Sequence, residues 1–161
     1  MRIGVLSDTH LYTPDKTLDR ILGEMLADTD LILHAGDIVT RKVLARLEEE
    51  GVIAVCGNMD DYEVAGVLPQ SRIMTLEGKR IGLVHGWGAK HNLQSRIVTK
   101  FSPDVPDLIV FGHTHVPFWG EYQGIAMFNP GCASTGGYQG RGSVGIIEIS
   151  DGVVQAQHLT F

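Results

Sequence analysis

Short apolar runs separated by polar, glycine-bearing turns set the rhythm of this chain. Residues 3–6, 31–33, 52–56, 81–84 and 108–111 are too short for helices and read as buried strands. Between the first three, the pattern changes to helical spacing. Leu18, Ile21, Leu22, Met25 and Leu26 form one stripe, opened by Thr13 as cap and Pro14 as first helical residue. Val43, Leu44 and Leu47 form a second stripe, capped by Thr40 and ended by Gly51. This β-α-β-α-β order predicts parallel strands joined by crossover helices.

The second half has another grammar. Runs 72–76 and 80–84 flank Glu77-Gly78-Lys79, a hairpin signal. Leu93, Ile97, Val98 and Phe101 predict a third helix over about residues 90–101. Runs 117–122 and 125–128 meet at Gln123-Gly124, and runs 143–150 and 153–159 meet at Asp151-Gly152, a strong hairpin signal. Strands in both halves predict two sheets packed face to face with helices outside.

Each of the five buried runs is followed at once by side chains able to hold a metal. These are Ser7-Asp8-Thr9-His10, His34-Ala35-Gly36-Asp37, Gly57-Asn58-Met59-Asp60, His85-Gly86 and Gly112-His113-Thr114-His115. In an open α/β sheet, ligands bind at the carboxyl ends of strands, so these loops are expected on one rim. Alone, each has an ordinary reading. Asp8 and Asp37 suit turns or caps, Gly57-Asn58 suits a turn, and His85 suits a satisfied buried histidine. The repetition at five strand ends outweighs those separate readings. His113 and His115, two apart, point to the same side of an extended segment.

Composition changes the picture in three ways. Glycine is over-represented at 20 residues, many beside the candidate ligands, where backbone must approach closely. With 13 basic and 19 acidic residues the net charge is −6, without the basic footprint of a nucleic-acid binder. Cys56 and Cys132 make neither a disulfide framework nor a zinc pair, and read as small buried hydrophobes rather than redox or nucleophilic groups. No signal-peptide core, membrane span, linker or repeat interrupts the pattern, so one domain over residues 1–161 in the cytoplasm is expected.

Histidine with carboxylate suits manganese, zinc, iron or nickel, whereas an all-oxygen site suits magnesium or calcium. Asp8, His10, Asp37, Asn58, His85, His113 and His115 are too many donors for one such ion and suit two that share a carboxylate, with Asp37 the natural bridge. Two ions about 3.5–4 Å apart activate water and clamp the oxygens of an in-line phosphoryl displacement. Two divalent ions against two aspartates leave a local charge of about +2, an anion trap on an acidic protein. His34 is read either as orienting a ligand or as purely structural. His91 is read as an exposed helix-start residue or as lining the pocket mouth. His158 is given no role.

Taken in order, Ser7-Asp8-Thr9-His10, Gly36-Asp37, Gly57-Asn58, His85-Gly86, Gly112-His113-Thr114-His115 and Asn129-Pro130-Gly131 resemble the calcineurin-like metallophosphoesterases. The short chain without a cap domain is similar to their small bacterial and archaeal phosphodiesterases. The resemblance implies a four-layer αββα sandwich with a dinuclear centre. Asp8, His10, Asp37 and His115 would hold one ion, and Asp37, Asn58, His85 and His113 the other. Asn58 would also contact a phosphate oxygen. The implied reaction is attack of metal-held hydroxide on a phosphodiester with inversion. Manganese is the expected pair of ions, with nickel, magnesium, zinc and iron as alternatives.

Two departures from the family pattern bear on activity. Many members carry histidine directly after the asparagine as general acid or transition-state stabiliser, where this chain, like many of the small phosphodiesterases, has another residue, Met59. The subgroup often has serine after Asn-Pro-Gly and a basic residue soon afterwards. Here Cys132 takes the serine's place, and Arg141 is the next basic residue and the candidate phosphate contact. The expected function is therefore a metal-dependent phosphodiesterase acting on a small phosphodiester or nucleotide-like substrate. A phosphomonoesterase or nucleotide hydrolase is the first alternative. A non-catalytic protein-interaction scaffold of the same fold is the second. Trp87, Trp119 and Tyr138 suit the core, a pocket wall, or a partner or homo-oligomer surface.

Overall fold

A computed structural model describes residues 1–161. The first half builds β1 (Arg2–Leu6), α1 (Lys16–Arg20, continued by a wide turn over Ile21–Met25), β2 (Leu31–His34), α2 (Arg41–Glu49) and β3 (Ile53–Ala54). A four-residue helix α3 (Tyr62–Ala65) leads to the hairpin β4 (Ser71–Leu76) and β5 (Lys79–Val84). Then come α4 (Leu93–Phe101), β6 (Leu108–Phe111), β7 (Phe118–Tyr122), β8 (Ile125–Asn129), β9 (Ser143–Ser150) and β10 (Val153–Thr160).

The strands form two mixed five-stranded sheets, in the orders β10-β9-β1-β2-β3 and β4-β5-β6-β8-β7. Alternation along each strand explains the layering. Ile3, Val5, Leu33, Val55, Ile81, Leu83, Leu108, Val110, Phe128, Ile147 and Ile149 face one another in the core between the sheets. Leu6, Val144 and Ile146 turn the other way and meet Leu18, Ile21 and Leu22 of α1 with Val43, Leu44 and Leu47 of α2. Val84, Ile109, Phe111 and Met127 likewise meet Leu93, Ile97 and Phe101 of α4. Each fully buried residue of this kind stabilises by about 1.5–3 kcal/mol, which drives both faces of both sheets to be covered. The result is an αββα sandwich.

All three predicted hairpins form, each with two consecutive left-handed residues at its tip: Glu77-Gly78, Gln123-Gly124 and Asp151-Gly152. That backbone pair is the type I′ turn whose twist matches flanking strands. Thr40 caps α2 through Val43 N–H, and Gly51 follows its end with φ of 67°.

Several expectations need correction. α1 is capped by Asp15, whose carboxylate accepts from Leu18 N–H at 2.9 Å, rather than by Thr13 with Pro14 inside the helix. α4 begins at Leu93, three residues later than the apolar stripe suggested. The third strand is only Ile53–Ala54, because the chain leaves β2 there to carry Gly57 and Asn58 back toward Asp37. Helix α3 was not foreseen. Four residues are too few to show a period, although Asp61 caps it through Glu63 and Val64 N–H.

Candidate metal centre

Parallel register brings the ligand-bearing loops out level. Leu6 pairs with His34 and Val84 with Phe111, so β1, β2, β5 and β6 end at the same rim. The loops then bond to one another. Asp8 N–H donates to Gly36 O, His10 N–H to Asp37 O and Gly112 N–H to His85 O. His113 N–H donates to Asp8 Oδ2, which ties the second sheet to the first.

Five candidate residues fall into two tight groups, Asp8–His10–His115 and Asp8–Asp37–His85, with ligand atoms in each within 4.8 Å. Each aspartate has one oxygen fixed and one free. Asp8 Oδ2 accepts from Ser7 Oγ at 2.6 Å and from His113 N–H at 3.1 Å, while Asp8 Oδ1 is buried with no hydrogen-bond partner. Asp37 Oδ1 accepts from Met59 N–H at 2.7 Å, leaving Oδ2 3.2 Å from His85 Nε2 and 3.7 Å from His10 Nε2. Asp8 Oδ1 lies 3.1 Å from His115 Nε2, 3.8 Å from His10 Nε2 and 3.9 Å from His85 Nε2.

Backbone contacts settle which ring nitrogens are available. His85 Nδ1–H donates to Ala35 O at 2.7 Å, so the buried, unpartnered Nε2 presents its lone pair to the aspartates. His113 Nε2–H donates to Gly88 O at 2.7 Å, and its Nδ1 stands 2.9 Å from the Asn58 amide oxygen atom. Asn58 and His113 thus sit beside the two groups, with the His113 ring packed edge-on against His85. His10 and His115 bring their Nε2 atoms within 3.1 Å of each other.

Charge follows from this geometry. Burial alone would raise the Asp37 carboxyl, but His85 and the Met59 amide outweigh it and hold Asp37 below the usual range. Burial works against a charged His85, yet Asp37 and Asp8 push its pKa up. His115 is pushed up to about 10, first by Asp8 and then by Cys132. Three histidines crowded on two aspartates need protons or cations between them. Two buried orphan atoms, Asp8 Oδ1 and His85 Nε2, and a mixed carboxylate–imidazole donor set fit divalent metal ions.

The backbone is strained where the donors stand. Asp8, His10, Asp37, His113 and His115 all have φ between 51° and 69°. Such left-handed residues cost about 1–3 kcal/mol each and gather at functional sites. This overturns the reading of residues 113–115 as extended. Both histidines do face the rim, but through consecutive turns rather than strand alternation.

The structure also shows what the remaining named residues do around the site. Cys132 Sγ–H donates to Asp8 O at 3.1 Å and influences His115, so this thiol is part of the surroundings of the site. Asn129 donates from Nδ2 to Gly112 O and Thr114 Oγ1, bracing the histidine turn. His158 stacks on Phe128 and hydrogen-bonds Asn129 O at 2.8 Å. His34 accepts from Gly36 N–H at Nδ1, so its Nε2–H meets Thr9 Oγ1, which donates to Asp37 O. Burial lowers its pKa to about 3, so it is a neutral brace. Arg141 is exposed beyond the turn Tyr138–Gly140, and His91 is exposed at the start of α4.

Comparison with known proteins agrees with this geometry. The calcineurin-like phosphoesterase superfamily domain matches residues 1–152. A probable metallophosphoesterase of Methanocaldococcus jannaschii is 35% identical over 135 residues, covering 81% of this chain and 67% of that protein. A phosphodiesterase of the same organism is 25% identical over 146 residues, covering 81% and 83%. Among solved structures, a Thermotoga maritima protein superposes with a TM-score of 0.75 at 32% identity over 99% of both chains. Vacuolar protein sorting 29 of Cryptosporidium parvum shares the fold, with a TM-score of 0.71 at 20% identity over 99% and 97%. Two sheets that deliver aspartates and histidines to one rim, and a family match spanning nearly the whole length, make this chain a member of the calcineurin-like phosphoesterase superfamily.

Proposed function

We propose that residues 1–161 act as one metallophosphoesterase domain whose reaction is hydrolysis of a phosphodiester. Membership of the family implies divalent metal ions and a phosphoester substrate. The observation that carries the reading is the pair of buried, unpartnered atoms, Asp8 Oδ1 and His85 Nε2, 3.9 Å apart, with Asp37 Oδ2 3.2 Å from the nitrogen. Asp8, His10, Asp37 and His115 would hold one ion. Asp37, Asn58, His85 and His113 would hold the other. Bound there, such ions acidify a water and neutralise phosphoryl oxygens.

The protein's own groups do the positioning. Ser7 and the His113 amide fix Asp8, Met59 N–H fixes Asp37, and Ala35 O and Gly88 O aim His85 and His113. Asn58 is exposed at the rim, where its amide would also contact a phosphate oxygen. Arg141, exposed in the loop before β9, would be the further phosphate contact. No acidic proton donor stands at position 59, so esters with good leaving groups are the favoured substrates. The phosphodiesterase activity named for the 25% identical relative supports diester over monoester. No helix is long and apolar enough to cross a membrane.

The test is hydrolysis of bis-nitrophenyl phosphate and nitrophenyl phosphate by chelator-stripped protein, with manganese, nickel, magnesium or zinc returned singly. Restored activity favouring the diester is expected, with manganese best. Preference for the monoester would make it a phosphomonoesterase. Two bound ions without turnover of either ester would move the reading to a protein-interaction role.

A further inference from the structure

A cleft of about 350 Å³ opens beside the candidate centre, between the turn after β3 and the turn after β5. Its volume is in the range of small-molecule sites. Asn58 and His85 stand at its inner end. Cys56, Gln70 and Val84 line it, and Trp87 and Lys100 complete the wall. None of its residues is acidic, although the chain carries a net charge of −6. Lys100, in the last turn of α4, holds its ammonium 5.7 Å from the centre of the Trp87 ring.

Trp87 is 40% exposed yet held in place. The Arg96 guanidinium donates to the carbonyls of Trp87 and His91 at 3.0 Å each, and also to that of Ala89. One planar cation thereby gathers three carbonyls and stiffens the turn that carries the indole. His113 donates to Gly88 O in the same turn, so the indole's position is tied to the candidate metal centre. An indole fixed beneath a positive charge, in the cleft that Asn58 and His85 also line, suits a flat ring joined to further negative charge.

We propose that this cleft receives one organic arm of the phosphodiester, that the arm carries a planar ring packed on Trp87, and that Lys100 pairs with a second anionic group on it. The substrate class is then a nucleotide-type diester bearing an additional phosphate. Arg96 is a positioning residue for Trp87. This inference rests on the phosphodiesterase reading.

Three nitrophenyl diesters with the same leaving group test it: the methyl ester, the thymidine 5′-ester, and the thymidine 5′-ester with a 3′-phosphate. Stacking of a base on an aromatic side chain is lost on its truncation, so W87A should lower kcat/KM for the thymidine ester about tenfold more than for the methyl ester. K100Q should erase the advantage of the 3′-phosphate. R96K should act like a weaker W87A, with the loss carried by KM. Equal loss on the methyl and thymidine esters in W87A would overturn the placement of the ring. An undiminished 3′-phosphate advantage in K100Q would overturn the role of Lys100.

Binding gives an independent reading. In the W119F background Trp87 is the sole tryptophan, and thymidine 3′,5′-bisphosphate should quench its fluorescence saturably, less tightly in K100Q. Absence of quenching would overturn the cleft assignment even in an active enzyme. Quenching without turnover of any of the three esters would leave the cleft standing and refute the phosphodiesterase reading instead.

Discussion

His85 Nε2 stands 3.2 Å from Asp37 Oδ2 with no hydrogen bond made by the nitrogen. Its other nitrogen is committed to Ala35 O, so only an added proton or a metal ion relieves the lone pair facing a carboxylate. The pKa of His85 is raised accordingly, and that of His115 is raised to about 10. At neutral pH the metal-free protein therefore holds protons where metal would bind. Metal uptake should release protons, seen in calorimetry as heats that vary with the ionisation enthalpy of the buffer.

The sign of the pH dependence is opposite for the two forms. A histidine with a raised folded pKa contributes stability fully present below its unfolded value, near 6.5, and lost as pH rises through about 10. Metal-free protein should lose melting temperature across that window. The gain in melting temperature on adding manganese should grow over the same window, because fewer protons compete. A manganese effect that weakens as pH rises from 7 to 9 would contradict the assignment of His115.

Asp37→Ala should lower bound metal from two ions per chain to at most one, and hydrolysis by at least about a thousandfold, an order typical of lost electrostatic machinery. Asp37 Oδ2 lies near both His85 and His10, which is the position of a shared ligand. Asp8 Oδ1 also neighbours histidines of both groups. Metal analysis of Asp37→Ala and Asp8→Ala side by side distinguishes them. Two ions retained by Asp37→Ala, with loss in Asp8→Ala, would make Asp8 the bridge.

Much of this was legible in the chain because burial imposes period. The strands that carry the candidate ligands follow from short apolar runs covered on both faces, Ile3 and Val5 on one side and Leu6 on the other, and the hairpins from left-handed pairs ending in glycine. The candidate ligands were legible because each follows a buried run directly. What pattern could not show was tertiary. Cys132 meets Asp8 across 124 positions, and His158 meets Asn129 across 29, with no local signal in either. The turn at His113 and His115 was hidden for another reason. Left-handed histidines are disfavoured locally and persist only because Asn129 and Asp8 brace them.

Glycine substitutions separate site packing from general stability. A Cβ on Gly112 would collide with Ser7 Oγ and lie 2.7 Å from Asp8 Oδ2. Gly112→Ala should cost about 1–3 kcal/mol through overpacking and should also weaken metal binding, since Ser7 orients Asp8. Gly23, on the wide turn that continues α1, has nothing within 4 Å of an added Cβ. Gly23→Ala should be stabilising by up to about 1 kcal/mol and leave metal affinity unaltered. Denaturant unfolding with and without manganese reads both effects. Unchanged metal affinity in Gly112→Ala would show that the Ser7–Asp8 contact is dispensable.

Met59→His tests the missing proton donor. Met59 is 54% exposed beside Asn58, and its amide rather than its side chain supports Asp37. The substitution should therefore preserve metal stoichiometry and melting temperature. A histidine at that rim can protonate a departing alkoxide, a contribution worth about 10²–10⁴-fold where protonation limits the rate. A nitrophenolate leaves without that help. Met59→His should accelerate an alkyl leaving group by tenfold or more while changing nitrophenyl esters little, and the alkyl rate should fall as pH rises above the new imidazole's pKa. Equal changes for both leaving groups would mean that the residue after Asn58 acts on the phosphoryl group itself, through charge or position, and that protonation is supplied elsewhere in this protein.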